Sequence, residues 1–243
     1  VGAQNPAYVR SASIEEFGRL QQQAMGLIKL VDVAPEQPGN LEFIRQMSHD
    51  VRVSVAHTCT SYDDACAAFD AGARHMTHLF NAMPALHHRE PGPIAAGAER
   101  NDVTAEIIAD GVHIHPAMVR LAFALFGDDR MILISDSLRA CGLGDGEYEL
   151  GGQQFFVKGN RATIANGSLA GSVSDVMACM RTAVRTMGIP LTSAVKAATV
   201  NPARALGLDG KLGAIAPGYQ ADAVVIDRDL NIKHVVLRGK AIA

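Results

Sequence analysis

Four polar residues able to do chemistry stand just past short apolar runs. His57 follows residues 51–56, His78 sits in the run 76–80, His113 follows residues 103–109, and Asp136 follows residues 131–134. Neutral imidazole suits zinc and related ions, and a catalytic metal centre keeps one position open for water. His57 and His78, at the ends of successive strand-like runs, can therefore converge on one ion. Either alone reads more readily as a hydrogen-bonded core histidine; the pair tips the balance toward a metal. Asp136 can take a proton from an activated water and pass it to a leaving group, or simply cap a helix or turn. His113 could polarise a carbonyl or orient a ligand, and is as readily structural. His115, before Pro116, reads as a cap or surface residue.

The loop after His78 offers a second kind of chemistry. Backbone N–H groups at Asn81 and Ala82, with the forked guanidinium of Arg89, suit a phosphate. A solvated charge is the plainer reading for Arg89. His87 and His88 read as loop residues, and Glu36, in Ala-Pro-Glu at a turn, is a weak ligand candidate. The Gly-rich segment 167–172, which contains Leu169, could close over a ligand with backbone groups.

These residues need a scaffold that brings strand ends together. Ser13, with Glu16 three residues on, caps a helix over 13–26. A strand over 27–33 is stopped by Ala34-Pro-Glu36. A helix over 40–49, a strand over 51–56 and a helix opened by Ser61 and closed at Gly72 follow, with Asp64 at the capping-box position. Strands at 75–80, 103–109 and 131–134 flank a helix over 116–126 that opens with proline. This alternation predicts βα units and a parallel sheet. In a parallel barrel the working residues lie just past the C-terminal strand ends, where His57, His78, His113 and Asp136 fall. Beyond Asp136, residues 142–164 read as a hairpin-like insertion with strands at 147–150 and 154–157. A helix follows over 173–187, then a helical pair over 192–206 broken at Asn201-Pro202. Residues 221–227 and 232–238 read as strands of a separate small sheet.

The chain has 243 residues, 48% hydrophobic, and mean hydropathy +0.10, enough for one sizeable core with a small appendage. A formal charge of −3, mixed along the chain, points to neither nucleic acid nor a membrane surface. The four cysteines show no CxxC spacing and read as free thiols of a reducing compartment. No apolar run approaches ~18 residues and no signal peptide opens the chain, so a cytoplasmic location is expected. The first residue, Val1, is no Met and lies in loop-like sequence.

The motifs Ala34-Pro-Glu, Ala56-His-Thr, Thr77-His-Leu-Phe-Asn-Ala-Met, His88-Arg-Glu-Pro-Gly, Ala109-Asp-Gly-Val-His, Ser135-Asp and Gly167-Ser-Leu-Ala-Gly-Ser resemble the N-acetylglucosamine-6-phosphate deacetylases of the amidohydrolase superfamily, in order and over essentially all 243 residues. The resemblance implies an α/β fold, a metal-dependent TIM-like (β/α) barrel over 1–220, with strands of a small β-sandwich over 221–243. It implies His57 and His78 as metal ligands and Asp136 as the catalytic carboxylate. His113 is implied on the acetamide, and Asn81, Ala82 and Arg89 on the phosphate. Gln4 and Leu169 complete the implied substrate contacts. The cofactor implied is one or two divalent ions, zinc first, with Fe, Mn, Co or Ni as alternatives. A homodimer is implied, with Arg89 reaching the partner's site, and the implied substrate is N-acetylglucosamine 6-phosphate. The family carries an upstream segment with a glutamate ligand that does not precede Val1, so an N-terminally incomplete barrel is expected. Glu36 does not match that ligand, and Ser137 stands where alanine is usual. Another amidohydrolase acting on an amide, or a non-catalytic ligand-binding fragment, are the alternative readings.

Overall fold

Short apolar and alternating strands build the central sheet. β1 (Leu30–Val33), β2 (Arg52–Val55), β3 (His75–Met76), β4 (Thr104–Ile108) and β5 (Met131–Ile134) pair in chain order, all parallel. Helices α1 (Ile14–Gln23), α2 (Asn40–Met47), α3 (Tyr62–Asp70), α4 (Gly92–Ala98) and α5 (Pro116–Phe126) precede or connect them. An order that never reverses is that of a β/α barrel; a doubly wound sheet reverses at a switch point. The fold is thus a TIM-like α/β arrangement, with five strands of the eight that close such a barrel. The structure, a computed structural model, describes residues 2–242. Val1 and Ala243, the outer ends of the two expected domains, lie outside the described residues.

One face of the sheet is apolar and one polar. Val53, Val55, Met76, Ala105, Ile107, Met131 and Leu133 are buried in one core with Phe43, Ile44, Phe69, Val119 and Phe123. On the opposite face Asp32, Ser54, His75 and Thr104 stand in one register row. Thr77 and Glu106, two residues further along, share that face by the two-residue period. The sequence alone shows alternation over 51–56 and reads 27–33 as an apolar run. In β2 and β3 polar side chains alternate with apolar ones although Ser54 and His75 are buried, whereas β5 is the continuous apolar run expected of a parallel strand covered on both faces.

Helix caps follow expectation more closely than strand lengths. Ser13 Oγ accepts from Glu16 N at 3.2 Å, but the Glu16 carboxylate pairs with Arg10 rather than closing the box. Ser61 Oγ accepts from Asp64 N at 3.1 Å, and His115 caps α5 through Ala117 N. The expected strand 75–80 ends at Met76, because His78 and Phe80 take φ of 34° and 72°, which a pleated strand cannot continue. Helix α4 was not foreseen from its Pro-Gly opening; Pro93 sits in its first turn, where no N–H is needed. The break in 192–206 falls at Thr199, between α7 (Leu191–Ala198) and α8 (Val200–Ala205). Pro202 lies in the first turn of α8, so it interrupts nothing, and buried Asn201 Nδ2 donates to Asp128 O and Met131 O at the foot of β5.

The insertion is a three-stranded antiparallel sheet, β6 (Gly146–Leu150), β7 (Gln153–Lys158) and β8 (Arg161–Ile164), around its own core of Phe155, Val157, Ala162 and Ala170. Helix α6 (Val176–Arg185) follows, capped by Asp175. The C-terminal strands β9 (Ala223–Ile226), β10 (Ile232–Leu237) and β11 (Lys240–Ala241) pair antiparallel with one another and leave Val224 and Leu237 about half exposed. No helix among the described residues is long and apolar enough to cross a membrane.

Candidate functional site

His57, His78 and Asp136 each lie two residues beyond the last residue of their strand: Val55, Met76 and Ile134. All three adopt left-handed backbone, with φ of 44°, 34° and 48°. A residue bearing Cβ pays about 1–2 kcal/mol for that conformation, so three repeats at one offset mark a place where the surroundings enforce an orientation. A cleft of about 1080 Å³ opens beside them, lined among others by Gln4, Asp32, Glu36, His57, Cys59 and Asp136.

The Nε2 atoms of His57 and His78 lie 2.9 Å apart, with the ring planes at 74°. Two imidazole ligands of one tetrahedral ion, each bonded at about 2.0–2.1 Å, stand roughly 3.3 Å apart. The pair therefore suits two positions of such an ion after a small opening. His78 is 6% exposed, and its Nδ1 has no hydrogen-bond partner among the described residues. No third His, Cys, Asp or Glu converges with the pair among the described residues, so the donor set fits a metal through two ligands only.

Asp136 is exposed toward the cleft, and its backbone is tied down on both sides. Its carbonyl accepts from Ser172 N at 2.7 Å, Leu138 N donates to Ser172 O at 2.8 Å, and Ser172 Oγ donates to Ser135 O. The loop 171–174 thus clamps the turn that presents Asp136.

His113 is held by Asp110. Asp110 Oδ1 accepts from the backbone N–H of Val112 and His113, both at 2.9 Å, and Oδ2 lies 2.7 Å from His113 Nδ1. Burial opposes ionisation of Asp110, but bonds from the His113 ring, the His113 N–H and the Val112 N–H outweigh it and hold the carboxyl below its usual range. With Nδ1 donating to Asp110, His113 Nε2 is left for a ligand.

Other expected residues sit differently. Asn81 Nδ2 donates to His78 O and Leu79 O, bracing the His78 turn rather than reaching into the cleft. Ala82, at φ 49°, accepts from Thr58 N at 3.0 Å. Arg89 is exposed and bonds His88 Nε2 at 2.7 Å. Arg89, Leu169 and the expected Asn81–Ala82 pair are absent from the cleft lining, whereas Gln4 lines it. Leu169 is half-buried and bridges to Thr163. Glu36 is no ligand of the pair: its carboxylate accepts from Thr58 Oγ1 at 2.5 Å and Cys59 N at 2.7 Å.

The sequence reading missed the polar face. Thr77 Oγ1 donates to Asp32 Oδ1 at 2.7 Å and lies 2.7 Å from Ser54 Oγ. His75 stands 3.0 Å from Glu106 and 2.6 Å from Thr104 Oγ1. Desolvation, opposed by the Thr77 bond, raises the Asp32 carboxyl above its ordinary range. The alternation LVDV, RVSV and HMT was the available signal.

A sequence profile described as the amidohydrolase family matches residues 4–242. An N-acetylglucosamine-6-phosphate deacetylase of Bacillus subtilis is 38% identical over 239 residues, covering 98% of this chain and 60% of that protein. An N-acetylgalactosamine-6-phosphate deacetylase of Escherichia coli O157:H7 is 37% identical over 240 residues, 98% of this chain and 63% of that protein. Among solved structures, a mutant N-acetyl-D-glucosamine-6-phosphate deacetylase of Mycobacterium smegmatis, in complex with N-acetyl-D-glucosamine-6-phosphate, matches with TM-score 0.94 and 41% identity over 99% of this chain and 64% of that one. The chain thus spans less than two thirds of the length of these relatives.

Proposed function

We propose that this chain, which belongs to the amidohydrolase family, carries the reacting face of a hydrolase that removes acetate from N-acetylglucosamine 6-phosphate to give glucosamine 6-phosphate. The observation that carries this reading is the repeated left-handed turn at one offset that presents His57 and Asp136 to one cleft and sets His78 against His57.

His57 and His78 would hold a divalent ion, zinc first, through their Nε2 atoms. When bound, such an ion lowers the pKa of water and polarises a carbonyl. Asp136 accepts one proton from the attacking water and delivers it to the departing amine, so acetate leaves with the water oxygen and the amino sugar with the proton. His113, its Nδ1 fixed by Asp110, presents Nε2 to the acetamide. Gln4 reaches the sugar from the cleft wall, and Asn81, Ala82 and Leu169, which stand outside that wall in the single chain, supply further substrate contacts. Arg89 points to solvent in the single chain, which suits a role across a homodimer, gripping the phosphate in the partner's site. Phosphate binding remote from the amide positions the reacting bond. The barrel domain spans 1–220 and the small sheet 221–243, in a cytoplasmic enzyme of amino-sugar breakdown.

One relative is named for the galacto epimer, which makes that phosphate the variation to test beside the gluco compound. The test is acetate release from the gluco and galacto 6-phosphates and from unphosphorylated N-acetylglucosamine. Preference for the gluco phosphate supports the reading; equal turnover without phosphate refutes the role of Arg89.

A further inference from the structure

We propose that β1 and the turn after it act as the positioning element for the histidine pair, Asp32 through Thr77 and Glu36 through Thr58. The inference rests on the reading that His57 and His78 bind a metal ion.

Each histidine has a threonine beside it in sequence, and each threonine donates its hydroxyl to a carboxylate. Thr58, directly after His57, donates to Glu36 Oε2 at 2.5 Å. Thr77, directly before His78, donates to Asp32 Oδ1 at 2.7 Å. Asp32 lies within β1, and Glu36 lies three residues beyond its end. The edge strand β1 and the turn after it therefore reach the ends of two other strands, its neighbour β2 and, across β2, β3.

The tethers are not isolated bonds. Glu36 Oε1 also accepts from Cys59 N at 2.7 Å, Thr58 Oγ1 accepts from Thr60 N at 2.9 Å, and Thr58 N donates to Ala82 O at 3.0 Å. Thr58 is fully buried. On the other side, the single hydroxyl proton of Thr77 goes to Asp32, an acceptor only when ionised, so Ser54 Oγ donates to Thr77 at 2.7 Å. These bonds fix the residues on which His57 and His78 pivot, and both histidines sit at positive φ. Released from them, the backbone favours negative φ, and that change swings the imidazole out of line.

Loss of groups that orient metal ligands typically costs ~10–100-fold in metal affinity. The variants Thr77→Val, Thr58→Val and Glu36→Ala remove one partner each. Thr77→Ser and Thr58→Ser keep the hydroxyl, and His78→Ala removes a ligand. Zinc affinity of the whole protein is measured by competition with a chromophoric chelator, with thermal unfolding of the metal-free form alongside. The expected result is a ~10–100-fold loss in the valine and alanine variants and near wild-type affinity in both serine variants. Glu36 lies at the cleft surface, so its truncation reads out the role even where a buried valine prevents folding. A His78→Ala loss with unchanged affinity in Thr77→Val, Thr58→Val and Glu36→Ala would overturn the positioning role alone. Unchanged affinity in His78→Ala would overturn the ligand reading beneath it. Serine variants as weak as valine would also overturn the role, since shape rather than the hydroxyl would then govern.

Discussion

Replacing Gly171 with alanine should disturb Asp136 without touching its side chain. Gly171 has φ of +54°, and a Cβ there would lie 2.8 Å from the Asp136 carbonyl oxygen and 3.1 Å from the Leu138 side chain. The carbonyl cannot simply step aside, because it accepts from Ser172 N at 2.7 Å while Leu138 N donates back to Ser172 O. The left-handed conformation costs a residue with Cβ about 1–2 kcal/mol, and overpacking adds about 1–3 kcal/mol. The sum, roughly 2–5 kcal/mol, lowers Tm by ~4–20 °C at about 2–4 °C per kcal/mol. A shift near 1 Å in a catalytic group can cost ~100-fold in rate, so kcat should fall by about that factor. Gly167→Ala is the control: φ is +87° with nothing within 4 Å of the added carbon, so it should show the conformational cost alone. Melting curves and acetate release together make the assay. A Gly171→Ala protein with unchanged Tm and kcat would refute the argument that loop 171–174 holds Asp136 in place.

Asp110→Asn should free His113 and reduce turnover more than it raises KM, measured by steady-state acetate release. The depressed Asp110 carboxyl contributes stability above the unfolded pKa of about 3.9, lost as pH falls through the lower folded value; the stability gap between wild type and Asp110→Asn should therefore shrink below about pH 4 in denaturant titrations. Thiol labelling at pH 8 should mark exposed Cys59 first, read by peptide mass. Buried Cys179, whose thiol burial pushes up to about 12, should react only on unfolding.

Much of the scaffold was legible because its signals are local. Ser13, Ser61 and His115 cap helices where their spacing places them, and the bounds of α5 and β5 coincide with their apolar runs. His57, His78 and Asp136 lay at strand ends because an apolar run stops where the chain leaves the sheet. Their shared left-handed turn was not legible, since nothing in residue type alone imposes positive φ on a histidine. The polar face was hidden for another reason. Asp32, Ser54, His75 and Thr104 come from four separate strands, and only register brings them into one row. Glu36 read as a weak ligand candidate because a carboxylate near a strand end has no visible partner in sequence; its partners, Thr58 and Cys59, lie in the next βα unit. The phosphate reading of Arg89 rests on residue type and on resemblance, and the single chain turns that side chain to solvent.

The most direct test is acetate release from N-acetylglucosamine 6-phosphate by the protein and by Asp136→Asn. Asparagine tolerates the left-handed backbone that Asp136 adopts at φ 48°, so the substitution removes the proposed proton acceptor and leaves the turn. The account predicts a loss of ~100–10,000-fold in kcat with zinc affinity and Tm unchanged. Undiminished acetate release from Asp136→Asn would contradict it.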